Sequence, residues 1–274
     1  MAEVHVTSWS QFLSAIQVSG DTVHCPEDAI WDMNELEPDG HIGNIRFDCD
    51  NVYGHNTTIK NLRYNGRIIF KDGFGVISDL HFENMVVDTG NKSEIFFLDR
   101  QNRPNENEMV QMNLCRISGY FTNAGGGSQL NEQYFAKGIR CYRCGFNIEL
   151  PLPGRFNLPG VMEYCNFVAQ LPQKTAIDVN YGYNWRINYR FSNIVIVAPN
   201  LTSDQSFAGA VCCVFRGRKE RLTGLANVDT SYPSLYCTTD MAAVTDAKNV
   251  VGVTEAQLRD AAYLQSIGFP IGVD

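Results

Sequence analysis

Positive charge is scarce in this sequence. Its 22 Lys and Arg face 30 Asp and Glu, for a net charge of −8. That excludes a sequence-independent nucleic-acid binder, which exchanges Lys and Arg for the counterions of the phosphates. Long apolar runs are missing too: no stretch approaches the roughly 20 residues that span a bilayer, so no membrane partner is expected. Residues 1–20 lack a charged segment followed by an apolar one, so no secretory leader is expected there. Charged residues make up only 19% against 44% apolar ones, which excludes a disordered chain. Cys141-x-x-Cys144 has ligand spacing, but no second Cys-x-x-Cys or His-x-x-x-His follows at a fitting distance. No metal or other cofactor is expected.

What is present is aromatic and turn-forming. Twelve Tyr, 16 Phe and 23 Gly favour β-structure in a chain of 274 residues, long enough for a sizeable core. The most informative stretch is Val76 to Asp88. Ile77, Leu80, Phe82, Met85 and Val87 are apolar with polar residues between them. The two-residue alternation breaks between Ile77 and Leu80, which predicts two short strands meeting at a bend. Related phrases recur, and aligning Asn65, Asn84, Ser118, Gly145, Asn166, Asn193 and Asn227 gives steps of 19, 34, 27, 21, 27 and 34 residues. Irregular periods of this size predict a solenoid whose coils carry loops of different length.

The nine cysteines are an odd set for a disulfide framework. Cys25 to Cys49, Cys141 to Cys165 and Cys213 to Cys237 are each 24 residues apart, and Cys115 to Cys141 is 26. Near-constant intervals predict thiols stacked in one interior column, where a small, readily buried side chain fits; metal or redox chemistry is the competing reading.

Taken in order, Ser8 to Val18 reads as an amphipathic helix with Trp9, Phe12, Leu13 and Ile16 on one face, a Ser8-x-x-Gln11 capping box and a stop at Gly20. Then come Gly20-Asp-Thr-Val23, Gly54-His-Asn-Thr-Thr-Ile-Lys-Asn-Leu62 and Val76-Ile-Ser-Asp-Leu-His-Phe-Glu-Asn84. This succession resembles the opening of right-handed parallel β-helix proteins of the pectate-lyase-like type, over roughly residues 4–90 well and 110–230 loosely. The resemblance implies a helix plugging the open amino-terminal end and three strands per coil. It says little about activity, because that fold hosts lyases, hydrolases, adhesins and phage spikes. Near the end, Thr254-x-x-Gln257 is another capping box, Leu258, Ala261 and Ala262 share a face, and Gly268 is a stop before Pro270. The phrase Val253-Thr-Glu-Ala-Gln-Leu-Arg-Asp260 with Ile267-Gly-Phe-Pro270 resembles the helical segments of GLUG-type bacterial surface modules. The expected fold class is therefore all-β, a single right-handed parallel β-helix. Residues 1–20 form its capping helix, 21–240 the solenoid, and 241–274 a helical cap or docking tail.

Function is less legible. The Asn-Thr-Asp, Gly-His-Gly and Arg-Ile-Lys motifs of the related hydrolases are absent, and Gly54-His55-Asn56 is a partial echo. Asp48-x-Asp50 is a close carboxylate pair that alternation places on a solvated face. Asp178 and Arg186 are weak catalytic candidates, as an acid and a charge stabiliser. Tyr181, Tyr183, Trp185 and Tyr189 alternate along one strand face, either as core or as a stacking platform for a sugar or a partner. The five histidines look scattered, and none pairs with a nucleophile. A β-helix with free thiols and no leader fits a non-enzymatic phage virion component, folded in the host cytoplasm and released by lysis. Its partners would be other virion proteins, a cell-surface glycan or copies of itself. The alternatives are an extracellular polysaccharide lyase or glycoside hydrolase, and a bacterial surface adhesin.

Overall fold

A computed structural model describes residues 2–88, 94–99, 108–122, 132–149, 154–157 and 161–170, then the separate strands from Thr175–Ile177 to Leu235–Thr238, and residues 250–258 and 260–266. The described chain is mostly β, and its strands form a 19-stranded, a six-stranded and a two-stranded sheet. Every described strand pair is parallel, so each strand meets a partner only after a long crossover. No helix among the described residues is long and apolar enough to cross a membrane.

The register runs in continuous rows. Val4, Val23, Val52, Ile77, Met112, Cys141 and Met162 are successive partners, at intervals between 19 and 35 residues. All of them except Val4, which packs against the core from its edge, are buried. Trp31, Ile59, Phe82, Ile117, Phe146 and Phe167 form a second buried row. Phe47, Phe70 and Leu98 form a third in the six-stranded sheet. Period-two alternation in the sequence thus becomes apolar rows inside and polar rows outside. Each fully buried Phe or Ile contributes about 1.5–3 kcal/mol relative to an exposed one.

The expected amino-terminal helix forms over Trp9–Ala15, with Ser8 as its N-cap. Its buried face sets Trp9 and Phe12 against Trp31, their ring centroids 6.0 and 5.4 Å away, and Phe12 against Phe47 at 6.1 Å. Before it lies a strand that alternation did not reveal, Glu3–His5, paired with Thr22–His24. At the other end the reciprocal capping box is present: Gln257 N–H donates to Thr254 Oγ1 at 3.2 Å, and Thr254 N–H to Gln257 Oε1 at 2.9 Å. The single helix expected there is instead two, Glu255–Leu258 and Ala261–Ser266. Asp260 starts the second by accepting the N–H groups of Ala262 and Tyr263 at 2.9 and 3.3 Å. Gly268 lies outside the described residues.

Two readings of the repeats change. The stretch Val76–Asp88 bends twice, at Asp79 (φ 53°) and again at Asn84 (φ 55°), because the alternation also breaks between Phe82 and Met85. Asn84 donates its side-chain amide to Asn61 at 2.8 Å, and Asn61 donates to Asp32 at 2.9 Å. Asn61 rather than Asn65 is therefore the neighbour of Asn84; Asn65 pairs with Asp88. Gly145, Asn166 and Asn193 are in register as aligned, whereas Ser118 pairs with Asn147.

The cysteine column also has different members. Cys115, Cys144 and Cys165 immediately precede the paired residues Arg116, Gly145 and Asn166, while Cys141 belongs to the methionine row. Each of the three thiols donates to the carbonyl two residues back, on Asn113 (3.3 Å), Tyr142 (3.5 Å) and Glu163 (3.4 Å). The residue between, Leu114, Arg143 or Tyr164, has φ of 55°, 50° or 54°. That left-handed residue turns the chain so that the next side chain points inward, which shifts the parity of the alternation.

Candidate functional site

The amino-terminal rows bring together four of the five histidines. With Val4, Val23 and Val52 directed inward, their neighbours His5, His24 and Tyr53 are register partners on the opposite face. The His24 ring is stacked with His5 (centroids 4.8 Å apart), Tyr53 (5.2 Å) and His55 (5.3 Å). Its Nε2 lies 2.5 Å from Glu3 Oε2, and its Nδ1 lies 3.0 Å from His55 Nε2. The order is carboxylate, imidazole, imidazole. A proton on His24 Nε2 is held by Glu3, and a second hydrogen bond requires one proton between Nδ1 and Nε2 of the histidine pair. Such a chain can hold and relay a proton, ending on the exposed ring of His55.

His55 reaches this position through a sharp bend. Both His55 and Asn56 have positive φ, 50° and 62°, which costs an L-residue about 1–2 kcal/mol. Gly54 lies so close to the next row that a Cβ would sit 2.1 Å from the Asp79 carbonyl oxygen. Asn56 ties the bend down. Its amide nitrogen donates to Asp28 Oδ1 at 2.6 Å, and its Oδ1 accepts from His81 Nε2 at 3.0 Å and Arg116 Nη2 at 3.3 Å. His81 is buried, 3% exposed, and its Nδ1 accepts the Arg116 backbone N–H at 3.2 Å. Burial, reinforced by the Arg116 charge, lowers the pKa of His81 against the opposing pull of Asp79 and Glu83. His81 is thus a neutral brace, and His24 and His55 are the accessible pair.

The sequence showed these histidines as scattered because their intervals carry no regular period. The usable signal was their common offset: His5 and His24 each follow a buried valine by one residue, as Tyr53 follows Val52. The partial echo Gly54-His55-Asn56 does fall in this cluster.

A second outer cluster uses the Asp48-x-Asp50 pair. Arg46 bridges Asp48 and Asp99, at 2.8 Å to each, and Lys71 Nζ binds Asp50 Oδ1 and, at 3.3 Å, Ser19 Oγ. Both carboxylates are ion-paired, which suits a structural brace on a solvated face.

Of the other candidates, Asp178, Tyr181, Tyr183, Trp185 and Arg186 lie outside the described residues. Tyr189 lies in the strand Asn188–Arg190, where its backbone pairs with Met162 and Ala210 and so continues the row of buried Met162. Cys25, Cys49, Cys115, Cys141, Cys144 and Cys165 are buried free thiols. Burial pushes Cys25 and Cys49 up to about 12, and raises Cys115 well above the usual thiol value. Such thiols are poor metal ligands and nucleophiles, and no cluster of three or more His, Cys, Asp or Glu suited to a metal occurs among the described residues. Comparison with protein families, with characterised proteins and with solved structures found no match for this chain.

Proposed function

We propose that the chain is a right-handed parallel β-helix with helical covers at both ends. In this reading it is a non-enzymatic structural or attachment component of a phage virion that associates with copies of itself and with other virion proteins or a host glycan. The observation that carries this reading is three exposed large apolar side chains on one sheet face, set among Arg63, Asn65, Asp88 and Glu149. Val86 and Tyr120 are register partners, 43% and 38% exposed, and Ile42, 88% exposed, lies in the next outer row beside Asn65 and Asp88. Large apolar side chains aligned along one sheet face fit burial against a second copy of the same face. Buried unlinked thiols agree with folding in a reducing compartment. The test is the solution mass by light scattering, with and without reductant. A closed oligomer insensitive to reductant is expected, with a Val86→Lys variant reduced to monomer. A monomeric native chain would overturn the self-association.

The second reading, an extracellular polysaccharide lyase or glycoside hydrolase, is favoured by the Glu3–His24–His55 chain, which supplies a candidate proton-transfer group. It requires cleavage of an acidic polysaccharide that disappears in His55→Gln. Absence of any cleavage across such substrates removes this reading.

A further inference from the structure

One bend recurs along the sheet, each time through a left-handed residue. Asp79, Leu114, Arg143 and Tyr164 follow the register partners Ser78, Asn113, Tyr142 and Glu163, and their φ angles are 53°, 55°, 50° and 54°. They form a column at one corner, each a strand spacing of about 4.8 Å from the next. Leu114, between Asp79 and Arg143, is 47% exposed. A branched side chain is unfavourable in this conformation, and strained residues of this kind cluster at functional sites.

Asp79 and Arg143 stand one strand to either side of Leu114 with opposite charges. Neither charge is met by an opposite one among the described residues. Asp79 has a side chain 39% exposed and lies 3.5 Å from His81, whose Nδ1 accepts a backbone N–H and whose ring is neutral. Arg143 is exposed, and its guanidinium lies over the Tyr142 ring, 5.4 Å from the centroid. That stacking leaves the N–H edge of the guanidinium for a carboxylate. The Glu163 carboxylate is held by Arg140 at 3.2 Å, and Arg116 is engaged by Asn56.

We infer that this corner pairs with the same corner of a second copy of the chain, about a two-fold axis at Leu114. Such an axis reverses the column. Leu114 then meets the partner's Leu114, and each Asp79 meets the partner's Arg143, so two ion pairs flank a covered apolar centre. The match exists because the opposite charges are equally spaced about the leucine. This contact goes beyond the association proposed above: Val86 and Tyr120 lie past the next bends, at Asn84 and Gly119. A single corner buries less than the roughly 1,200 Å² of a stable interface, so its Kd is on the order of 0.5 mM.

Sedimentation equilibrium of the full chain carrying Val86→Lys, which silences the other contact, tests it. That variant is expected to be mostly monomeric at about 20 µM and about half dimeric at about 0.5 mM, less so in high salt. Adding Arg143→Asp, or instead Asp79→Arg, sets like charges face to face and weakens the dimer at least about tenfold. An equal mixture of these two proteins regains it, because each reversed charge then meets its opposite. Leu114→Asp, at the axis, loses the dimer by itself and serves where Asp79→Arg does not fold. Absence of a dimer at the higher concentration overturns the pairing. So does a dimer that charge reversal leaves intact, or a mixture of two folded variants that stays monomeric.

Discussion

His81 accepts the backbone N–H of Arg116 on its Nδ1, so a side chain completes the main-chain hydrogen bonding of a neighbouring row. The bond fixes the tautomer: Nε2 carries the hydrogen and donates it to Asn56. An imidazolium has no bare Nδ1 and would lose the Arg116 contact.

The pH dependence of stability follows from this. The folded pKa of His81 lies below its ordinary value of 6.5, so the unfolded chain takes up a proton that the folded chain refuses. This contribution is fully present above pH 6.5 and is lost progressively as pH falls, levelling off only below the folded value. Urea unfolding of the native chain should show the loss, and His81→Gln should lack this part of the slope. Identical slopes in the two proteins would refute the assignment. At neutral pH His81→Ala is expected to cost about 1–3 kcal/mol, the penalty for an unpaired buried N–H.

Thiol reactivity gives a count. Among the residues whose burial is described, six of the nine cysteines are buried free thiols. At about pH 8 an aromatic disulfide reagent should therefore label no more than three thiols quickly, and all nine after unfolding. Rapid labelling of four or more would contradict the packing of the thiol rows.

Two glycines separate crowding from backbone conformation. At Gly54 a Cβ would overlap the Asp79 carbonyl, whereas Gly20 has open space around it but a φ of +91°. Gly54→Ala is expected to cost about 3 kcal/mol or more, and Gly20→Ala about 1 kcal/mol. Denaturant midpoints decide between them, and an equal loss at both sites would mean that the rows can move apart.

Leu114 sits at φ 55° and is half exposed, an unfavourable conformation for a branched side chain. Leu114→Asn should raise stability by about 0.5–1 kcal/mol, because Asn tolerates the left-handed region. A fall in thermal midpoint would show that the Leu side chain packs more usefully than its exposure indicates.

The sequence makes the local elements readable and the lateral relations hard to see. Ser8 and the Thr254–Gln257 box mark helix starts through short-range chemistry, and the alternation in Val76–Asp88 marks strands for the same reason. Asp260 escaped notice because an N-cap inside an Ala-rich run interrupts no period. Cys141 takes the place of Cys144 beside Cys115 and Cys165 in the interval reading because Arg143, at φ 50°, switches parity, and nothing about an Arg announces a left-handed bend. The histidine cluster depends on which residue lies beside which across rows of unequal length, and that is fixed only by the stacked register of Val4, Val23 and Val52. The aromatic run at Tyr181, Tyr183 and Trp185 lies outside the described residues, and the Tyr189 backbone pairs with Met162.

The unequal intervals between Val23, Val52, Ile77, Met112, Cys141 and Met162 carry a consequence for change in this chain. Between strands, length varies while the pairing holds, so a peptide spliced into an exposed crossover is expected to leave the pairing on either side in place. Within a strand, parity is fixed, since one added residue turns the rest of that strand inside out. Only a compensating left-handed residue, such as Asp79 or Arg143, restores the sense. The architecture is thus permissive to grafting and intolerant of single-residue slips.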